Sequence, residues 1–382
     1  MSARELSTPD LATVVAALER RFPPALAESW DRVGLVCGDP ADPVERVLFA
    51  VDPTEAVAEE AVETGADLVV THHPLLLRGV HSVAATGGKG RVVHRLIRGG
   101  CGLYTMHTNA DAADGGTNQT LARLLGLQHA EPLVPSDAGL EKLVVFVPPD
   151  HREPVMAALF DAGAGQIGEY DHCGYWIEGT GQFRPSADAD PFIGSAGDLS
   201  HVAESRVELV FPAARRRAVV AALRRAHPYE EPAFDVYQTV TSAPVGIGRL
   251  GDLPAPVTLE AFARSVAAAI PATAGGVRVA GDPGQPVRRV AICSGAGDSL
   301  LADARRSGAD VYLTADLRHH PAEEHLAEGG CALVDVSHWA SEWPWLDGAA
   351  QTLASDLAAD GFTVDGHVSS RSTDPWSFLV GG

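Results

Sequence analysis

Residues 66–74 read ADLVVTHHP, an apolar, β-branched run that ends in two adjacent histidines. A short run of this kind, bounded by polar residues, reads as a buried strand. Working outward, VERVLFAVD (44–52) and GLYTMHT (102–108) have the same form. Helix-forming stretches stand beside them: TEAVAEEAVETG (54–65), RVVHRLIRGG (91–100) and NQTLARLLG (118–126). Such alternation argues for βαβ units and a largely parallel sheet. The rhythm returns from about residue 257 with TLEAFARSVAAAI, RRVAICSG, SLLADARRSG, ADVYLTAD, ALVDVSH and a final helix in LDGAAQTLASDLAADG. The expectation is an α/β fold of two lobes with parallel-type sheets. At the start, TPDLATVVAALERR (8–21) predicts a helix capped by Thr8 with Pro9 at its first position.

Between the two stretches the pattern changes. KLVVFVPPDHREPVMAALFDAG and RVELVFPAARRRAVVAALRRAH each run strand, proline turn, helix, and strand-like residues follow each (CGYWIEG and AFDVYQTV). Strand, helix, strand, strand, helix, strand is the order of a ferredoxin-like split βαβ fold. The chain is therefore divided into an N-terminal α/β lobe (1–138), an inserted ferredoxin-like α+β domain (139–242) and a C-terminal α/β lobe (243–382). Arg215 to Arg217, with Arg224 and Arg225, read as a solvated helix face before they read as a basic patch.

The 382 residues are 46% hydrophobic, enough for a sizeable core, and the formal charge of -21 opposes generic binding to nucleic acid or to an anionic membrane. Cys37, Cys101, Cys173, Cys293 and Cys331 are odd in number and show no CxxC pair, as expected of reduced thiols in the cytoplasm. No apolar run approaches the length of a membrane span, and MSARELSTPD lacks the apolar core of a signal peptide.

Three strand-like runs end in groups that bind metals. His72 and His73 follow the first; His107 and Asp111 follow GLYTM; His338 and Glu342 follow CALVDVS. In open α/β sheets ligands collect outside the carboxyl ends of the strands, so these groups can converge. Adjacent histidines point to opposite sides of a continuing strand, which suits two neighbouring ions better than one. Asp111 lies before the turn that Asp114, Gly115 and Gly116 make ahead of a helix near Thr117. His338 and Glu342, four apart, share a face of a helical turn. Pro344 pushes Trp343 out of the helical region, so that the turn is short or Pro344 opens the next helix. Glu342 is the natural carboxylate to bridge two cations.

Two glycine patterns carry less. GIGRLG (246–251) matches a dinucleotide fingerprint in letters, but Pro254 and Pro256 stand where its helix would open, and it is rejected. SGAGDS (294–299) stands between a strand and a helix, as a phosphate cradle or as a plain turn.

Together, WDRVGLVCGDP, ADLVVTHHPLLL, HTNADAADGGTN, GAGQIGEYDHCGY, ESRVELVF, AHPYEEPAFDVY, GIGRLG, GADVYLTAD and LVDVSHWASE resemble the GTP cyclohydrolase I type 2 family, also called the Nif-three-like family, along almost the whole chain. The resemblance implies a dinuclear centre on His72, His73, Asp111, His338 and Glu342, a ferredoxin-like insert and a toroidal homohexamer. One departure is TAD at 314–316, where the family usually has TGD; Asp316 itself is kept.

Two divalent ions per chain are therefore expected, zinc first, with iron or manganese as alternatives. A two-metal site lowers the pKa of a bound water to about 7. The family name implies hydrolysis of GTP to 7,8-dihydroneopterin triphosphate, with His107 or His320 as candidate acids toward the departing ring nitrogen, though packing or support of a ligand is the commoner role for each. Glycine turns near Gly115 and Gly295 are candidates to hold the triphosphate. The alternatives are a metal-dependent phosphohydrolase acting on nucleotides or small phosphates, and a non-enzymatic metal-binding or regulatory ring protein. Neither a GxSxG elbow nor a convincing nucleophile-and-base set occurs.

Overall fold

A computed structural model of the chain describes residues 6–136, 140–167, 170–239 and 245–380. The chain divides into two compact units: residues 1–136 together with 244–382, and residues 137–243.

The larger unit holds two main sheets in a mixed α/β arrangement. In the first, the strand order is Gly34–Cys37, Gly102–Thr105, Leu68–Thr71, Arg46–Ala50, Asp365–Val368. The last four run parallel, and Gly34–Cys37 is antiparallel at one edge. In the second the order is Arg278–Ala280, Ala332–Val336, Val311–Ala315, Pro286–Ala296, Arg249–Thr258, Gln128–Glu131, with a parallel trio at its centre. Strands Leu68–Thr71, Gly102–Thr105, Val311–Ala315 and Ala332–Val336 are buried at every position, which is why they read as unbroken apolar runs.

The two sheets exchange chain. Asp365–Val368 pairs with Arg46–Ala50 of the N-terminal sheet, and Gln128–Glu131 pairs with Arg249–Thr258 of the C-terminal one. Membership of a sheet therefore does not follow position along the sequence. The core repeats this interleaving: Leu11, Leu18, Phe49 and Tyr104 pack in one cluster with Trp345, Leu346 and Leu353 of the helix Trp345–Ala359. Burial of each such side chain contributes about 1.5–3 kcal/mol.

The first helix corrects one expectation. It spans Leu11–Arg21, and its cap is Asp10, whose Oδ1 accepts from the Thr13 N–H at 2.8 Å. Pro9 is held outside because its carbonyl accepts from the Val44 N–H at 2.9 Å, and Asp10 bridges to Pro43.

The smaller unit is one antiparallel sheet, ordered Phe234–Gln238, Leu140–Val147, Ser200–Pro212, Gly174–Phe183, with helices Arg152–Asp161 and Arg216–Ala226. Its own core joins Leu143, Val145 and Val207 to Val155, Leu159, Val219 and Leu223. Along Ser200–Pro212 buried and part-exposed residues alternate from Ser205 onward, as a sheet covered on one face requires. Two arginines of the second helix lie near carboxylates: Arg216 Nε donates to Glu141 Oε2 at 2.8 Å, and Arg224 stands 3.8 Å from Glu231. No described helix is long and apolar enough to cross a membrane.

Candidate metal centre

Every strand that carries a candidate ligand delivers it at the carboxyl end. Leu68–Thr71 is followed at once by His72 and His73; Gly102–Thr105 leads to His107 and to the short helix Thr108–Ala112, which holds Asp111; Ala332–Val336 leads to the helix His338–Glu342. Both parallel sheets thus point their polar ends at one place. There, Glu342 Oε1 lies 3.0 Å from His338 Nε2 and 3.4 Å from His72 Nε2, and Oε2 lies 3.2 Å from His73 Nε2. His73 and His338 meet Nε2 to Nε2 at 3.1 Å, and Asp111 Oδ1 is 3.6 Å from His72 Nε2. All five residues are brought together.

Each imidazole is held from behind. His72 Nδ1 bonds the Met106 carbonyl at 2.9 Å, His73 Nδ1 meets Asp52 Oδ1 at 2.7 Å, and His338 Nδ1 meets Asp316 Oδ2 at 2.6 Å. Such bonds fix the tautomer that presents Nε2, the habit of metal-binding histidines. His107 shares the pattern, with Nδ1 on Asp31 Oδ1 at 2.8 Å. Asp316 has φ 58°, a left-handed turn that a non-glycine residue rarely adopts, and its side chain is the one His338 needs.

The site's geometry tests its fit to a cation. His72 Nε2 and Glu342 Oε2 are buried without a hydrogen-bond partner. A buried polar atom left unmatched costs about 1–3 kcal/mol, more when charged. Among the described residues, two sets of donor atoms lie within 4.8 Å of one another: those of His72, His73 and His107, and those of His73, His338 and Glu342. A buried cluster of nitrogen and carboxylate donors with two unmatched atoms fits a metal ion.

Electrostatics agree. Burial alone would push the Glu342 carboxyl up, but His73, His72 and His338 hold it well below its ordinary range. Burial would likewise depress the His338 imidazole, and Glu342 with Asp316 instead lifts it to about 10. His73 is raised by Glu342 and Asp52 against the same burial penalty.

The sheets are tied together beneath the cluster. The Ser294 N–H donates to Asn118 Oδ1 at 2.8 Å, Ser294 Oγ donates to Thr117 Oγ1, and Thr117 Oγ1 donates to Asp111 Oδ1. Arg249, wholly buried, donates to the carbonyls of Ala113, Gly246 and Gly248 and to Gln119 Oε1, fixing the chain that follows Asp111. Pro344 does cap the next helix, and the turn before it is short, but Trp343 keeps helical angles (φ −53°, ψ −39°). Its N–H reaches the Trp339 carbonyl, and its indole donates to the Ser369 carbonyl at 3.2 Å. These bonds outweigh the preference imposed by the proline.

The SGAGDS turn serves this site. Gly295 sits at φ 66°, and a Cβ there would fall 2.4 Å from Glu342 Oε1 and 3.1 Å from His338 Nε2. The glycine lets the two ligands close against the backbone. His320, in contrast, is exposed in the first turn of the helix His319–Ala327 with its ring against His319, and it belongs to neither donor set.

Sequence reasoning missed Asp52 and Asp31. Asp52 carried a usable signal, because it ends VERVLFAVD just as His72 ends its own run. Asp31 lay within WDRVGLVCGDP, one of the stretches that carry the resemblance, but it precedes the strand Gly34–Cys37 and does not end an apolar run as Asp52 does. A cavity of about 620 Å³ opens beside the cluster, lined by Asp52, His73, Asp316, His338 and the C-terminal segment from Thr373 to Leu379. Thr373 Oγ1 donates to Asp52 Oδ2 and Ser337 Oγ to Asp374 Oδ2, strapping that segment to the rim.

Comparison with known proteins agrees along the whole chain. The profile of the Duf34/NIF3 (NGG1p interacting factor 3) family matches residues 9–375. A Mycobacterium leprae protein named GTP cyclohydrolase 1 type 2 homolog is 50% identical over 381 residues, covering 99% of this chain and 96% of its own. Two crystal structures share the fold. A Bacillus cereus protein related to NIF3 has a TM-score of 0.74 at 37% identity, over 98% of this chain and 100% of that one. A Staphylococcus aureus protein has a TM-score of 0.79 at 30% identity, over 97% and 99%.

Proposed function

This chain belongs to the Duf34/NIF3 family, and from that premise we propose that it is a metal-dependent hydrolase of the GTP cyclohydrolase I type 2 kind, acting at a dinuclear centre. The observation that carries the reading is the convergence of three Nδ1-anchored histidines on both oxygens of one buried carboxylate. His72, His73, Asp111, His338 and Glu342 would hold two divalent ions, zinc first, with Glu342 shared between them. Oε1 faces His72 and His338 while Oε2 faces His73, the division a bridging carboxylate needs. When bound, such a pair lowers the pKa of a water to about 7 and polarises the substrate.

The chain's own groups do the rest. Asp52, Asp316 and the Met106 carbonyl keep each Nε2 available as a donor. His107, with Nδ1 committed to Asp31, offers its other ring nitrogen to the cluster and is the group placed to give a proton to a departing nitrogen; exposed His320 is not. On GTP the balance is hydrolytic: water adds at C8 of guanine, one C8–N bond breaks and its nitrogen takes a proton, a second hydrolysis frees C8 as formate, and the released amine recloses on the ribose carbons with loss of water. The cavity has room for a nucleotide. Its rim carries Asp52, Asp316, Asp335 and Asp374 against Arg278, which is itself paired with Asp335 at 2.8 Å, so a triphosphate depends on the metals for charge.

We also read residues 139–242 as a ferredoxin-like module, for which the strand order 4-1-3-2 speaks, and the assembly as a homohexamer in the cytoplasm. Trp376, Phe378, Leu379 and Val380 are 71–80% exposed, an apolar tail of the sort another copy of the chain would cover.

The test is turnover by protein of known metal content, with GTP, other nucleoside triphosphates and a simple phosphate ester as substrates. Ring opening is followed separately from phosphate release. Metal-dependent ring opening of GTP supports the reading. Phosphate release alone would replace it by a phosphohydrolase, and tight metal binding without turnover by a regulatory metalloprotein.

A further inference from the structure

The smaller unit has a cavity of its own, of about 480 Å³, between the long turn that joins Gly174–Phe183 to Ser200–Pro212 and the turn after the helix Arg216–Ala226. Its walls are aromatic. The Tyr229 ring centroid lies 6.0 Å from that of Phe183 and 6.2 Å from that of Phe192, inclined at 60° and 46°, so the rings form a cage rather than a stack. Glu204, Glu230 and Glu231 share the lining with one cation, Arg184.

Glu204 is part-buried in the wall, while Glu230 and Glu231 are exposed and Glu231 stands 3.8 Å from Arg224. Glu204 lies over Gly181, where a Cβ would meet its Oε2 at 1.9 Å, so the glycine makes space for it in the wall. Glu230 Oε2 accepts from the Asp190 N–H at 3.3 Å and pins the long turn. The Tyr229 hydroxyl is buried beside Glu204, and burial together with that carboxylate raises its pKa and keeps it protonated.

These groups select among ligands. An anion would face three carboxylates. A neutral apolar molecule would cover them without matching them, at a desolvation cost. A metal ion would need the carboxylate oxygens gathered around one point, and among the described residues Glu204, Glu230 and Glu231 do not form a set of donor atoms within 4.8 Å of one another. Aromatic faces beside carboxylates attract an organic cation, whose charge reaches the ring quadrupoles while its body fills the apolar space. We propose that this cavity binds a protonated or quaternary amine carried on an aromatic or branched apolar body. Nothing in this assignment depends on the chemistry of the metal centre.

Titration calorimetry on the full-length, metal-loaded chain tests it with tryptamine and its neutral counterpart tryptophol. Tryptamine should bind at least roughly ten-fold more tightly than tryptophol. Glu204→Gln and Phe192→Ala should each weaken tryptamine about five-fold or more, and Trp376→Ala in the other unit should leave it unchanged. Phe192 is 53% exposed, so its loss spares the core; an unaltered melting temperature confirms that each variant folds. Equal affinity for the two compounds, or no tryptamine binding up to about 5 mM, overturns the proposal. So does displacement of tryptamine by manganese ions, or indifference to both substitutions.

Discussion

The cluster around Glu342 and the cavity around Tyr229 both gather carboxylates in a partly enclosed space, and they do opposite things with them. At Glu342, three imidazoles face the acid and each is braced by a further acceptor, so that compact donor atoms surround a point. At Tyr229 the carboxylates stand beside ring faces, and their oxygens do not gather within 4.8 Å of one another. The first arrangement suits a small ion that shares electron pairs; the second suits a diffuse charge on a large body. Geometry of the neighbours, more than the count of acids, decides which cation an acidic site takes.

The sharpest way to separate the two is to remove the carboxylate at the centre of the first. Glu342→Ala should strip metal from the chain and lower any turnover about 1000-fold or more, because both proposed ions lose a ligand. Tryptamine binding, measured on the same sample, should not move. Chelation of the wild-type chain should act in the same way, and readdition of zinc should reverse it. A parallel loss of amine binding would merge two sites that the comparison treats as independent.

Next in size is Gly295→Ala. The new methyl would collide with Glu342 Oε1, and the residue must keep a left-handed φ, which costs about 1 kcal/mol for a side chain. Metal affinity should fall with only a modest loss of thermal stability. Wild-type metal affinity in this variant would show that the turn does not shape the cluster.

Bracing can be tested apart from ligation. Asp52→Asn or Asp316→Asn should weaken metal about 10- to 100-fold while the stoichiometry at saturation is unchanged. Thr373→Val, which removes the bond to Asp52 Oδ2, should have the smallest effect, about three-fold, because the His73 contact through Oδ1 is kept. Equilibrium competition with a chromophoric chelator resolves all three. Equal effects from Thr373→Val and Asp52→Asn would mean that the C-terminal segment, and not the His73 contact, is what Asp52 supports.

Much of this was legible in the sequence, and the reasons are specific. ADLVVTHHP, GLYTMHTNAD and CALVDVSHWASE announce buried parallel strands by composition, and the rule that ligands gather at strand ends turns them into one candidate site. The exchange of Gln128–Glu131 and Asp365–Val368 between sheets was not legible, because strand pairing over such separations leaves no local signal. Gly295 was visible as a turn glycine, but its reason lies in Glu342, a residue 47 positions on in sequence. The helix start was misplaced because Thr8 and Pro9 imitate a cap that Asp10 supplies, while Pro9 is bonded to Val44. Phe183, Phe192 and Tyr229 belong to separate elements with no common period, so only the fold shows them as neighbours.

That two ions share Glu342 is the central proposal, and elemental analysis of gently purified protein tests it most directly. It predicts about two divalent ions per chain in the wild type, essentially none in Glu342→Ala, and loss chiefly of one in His72→Ala. Saturation of the wild type at a single ion, or a full complement retained by Glu342→Ala, would contradict it.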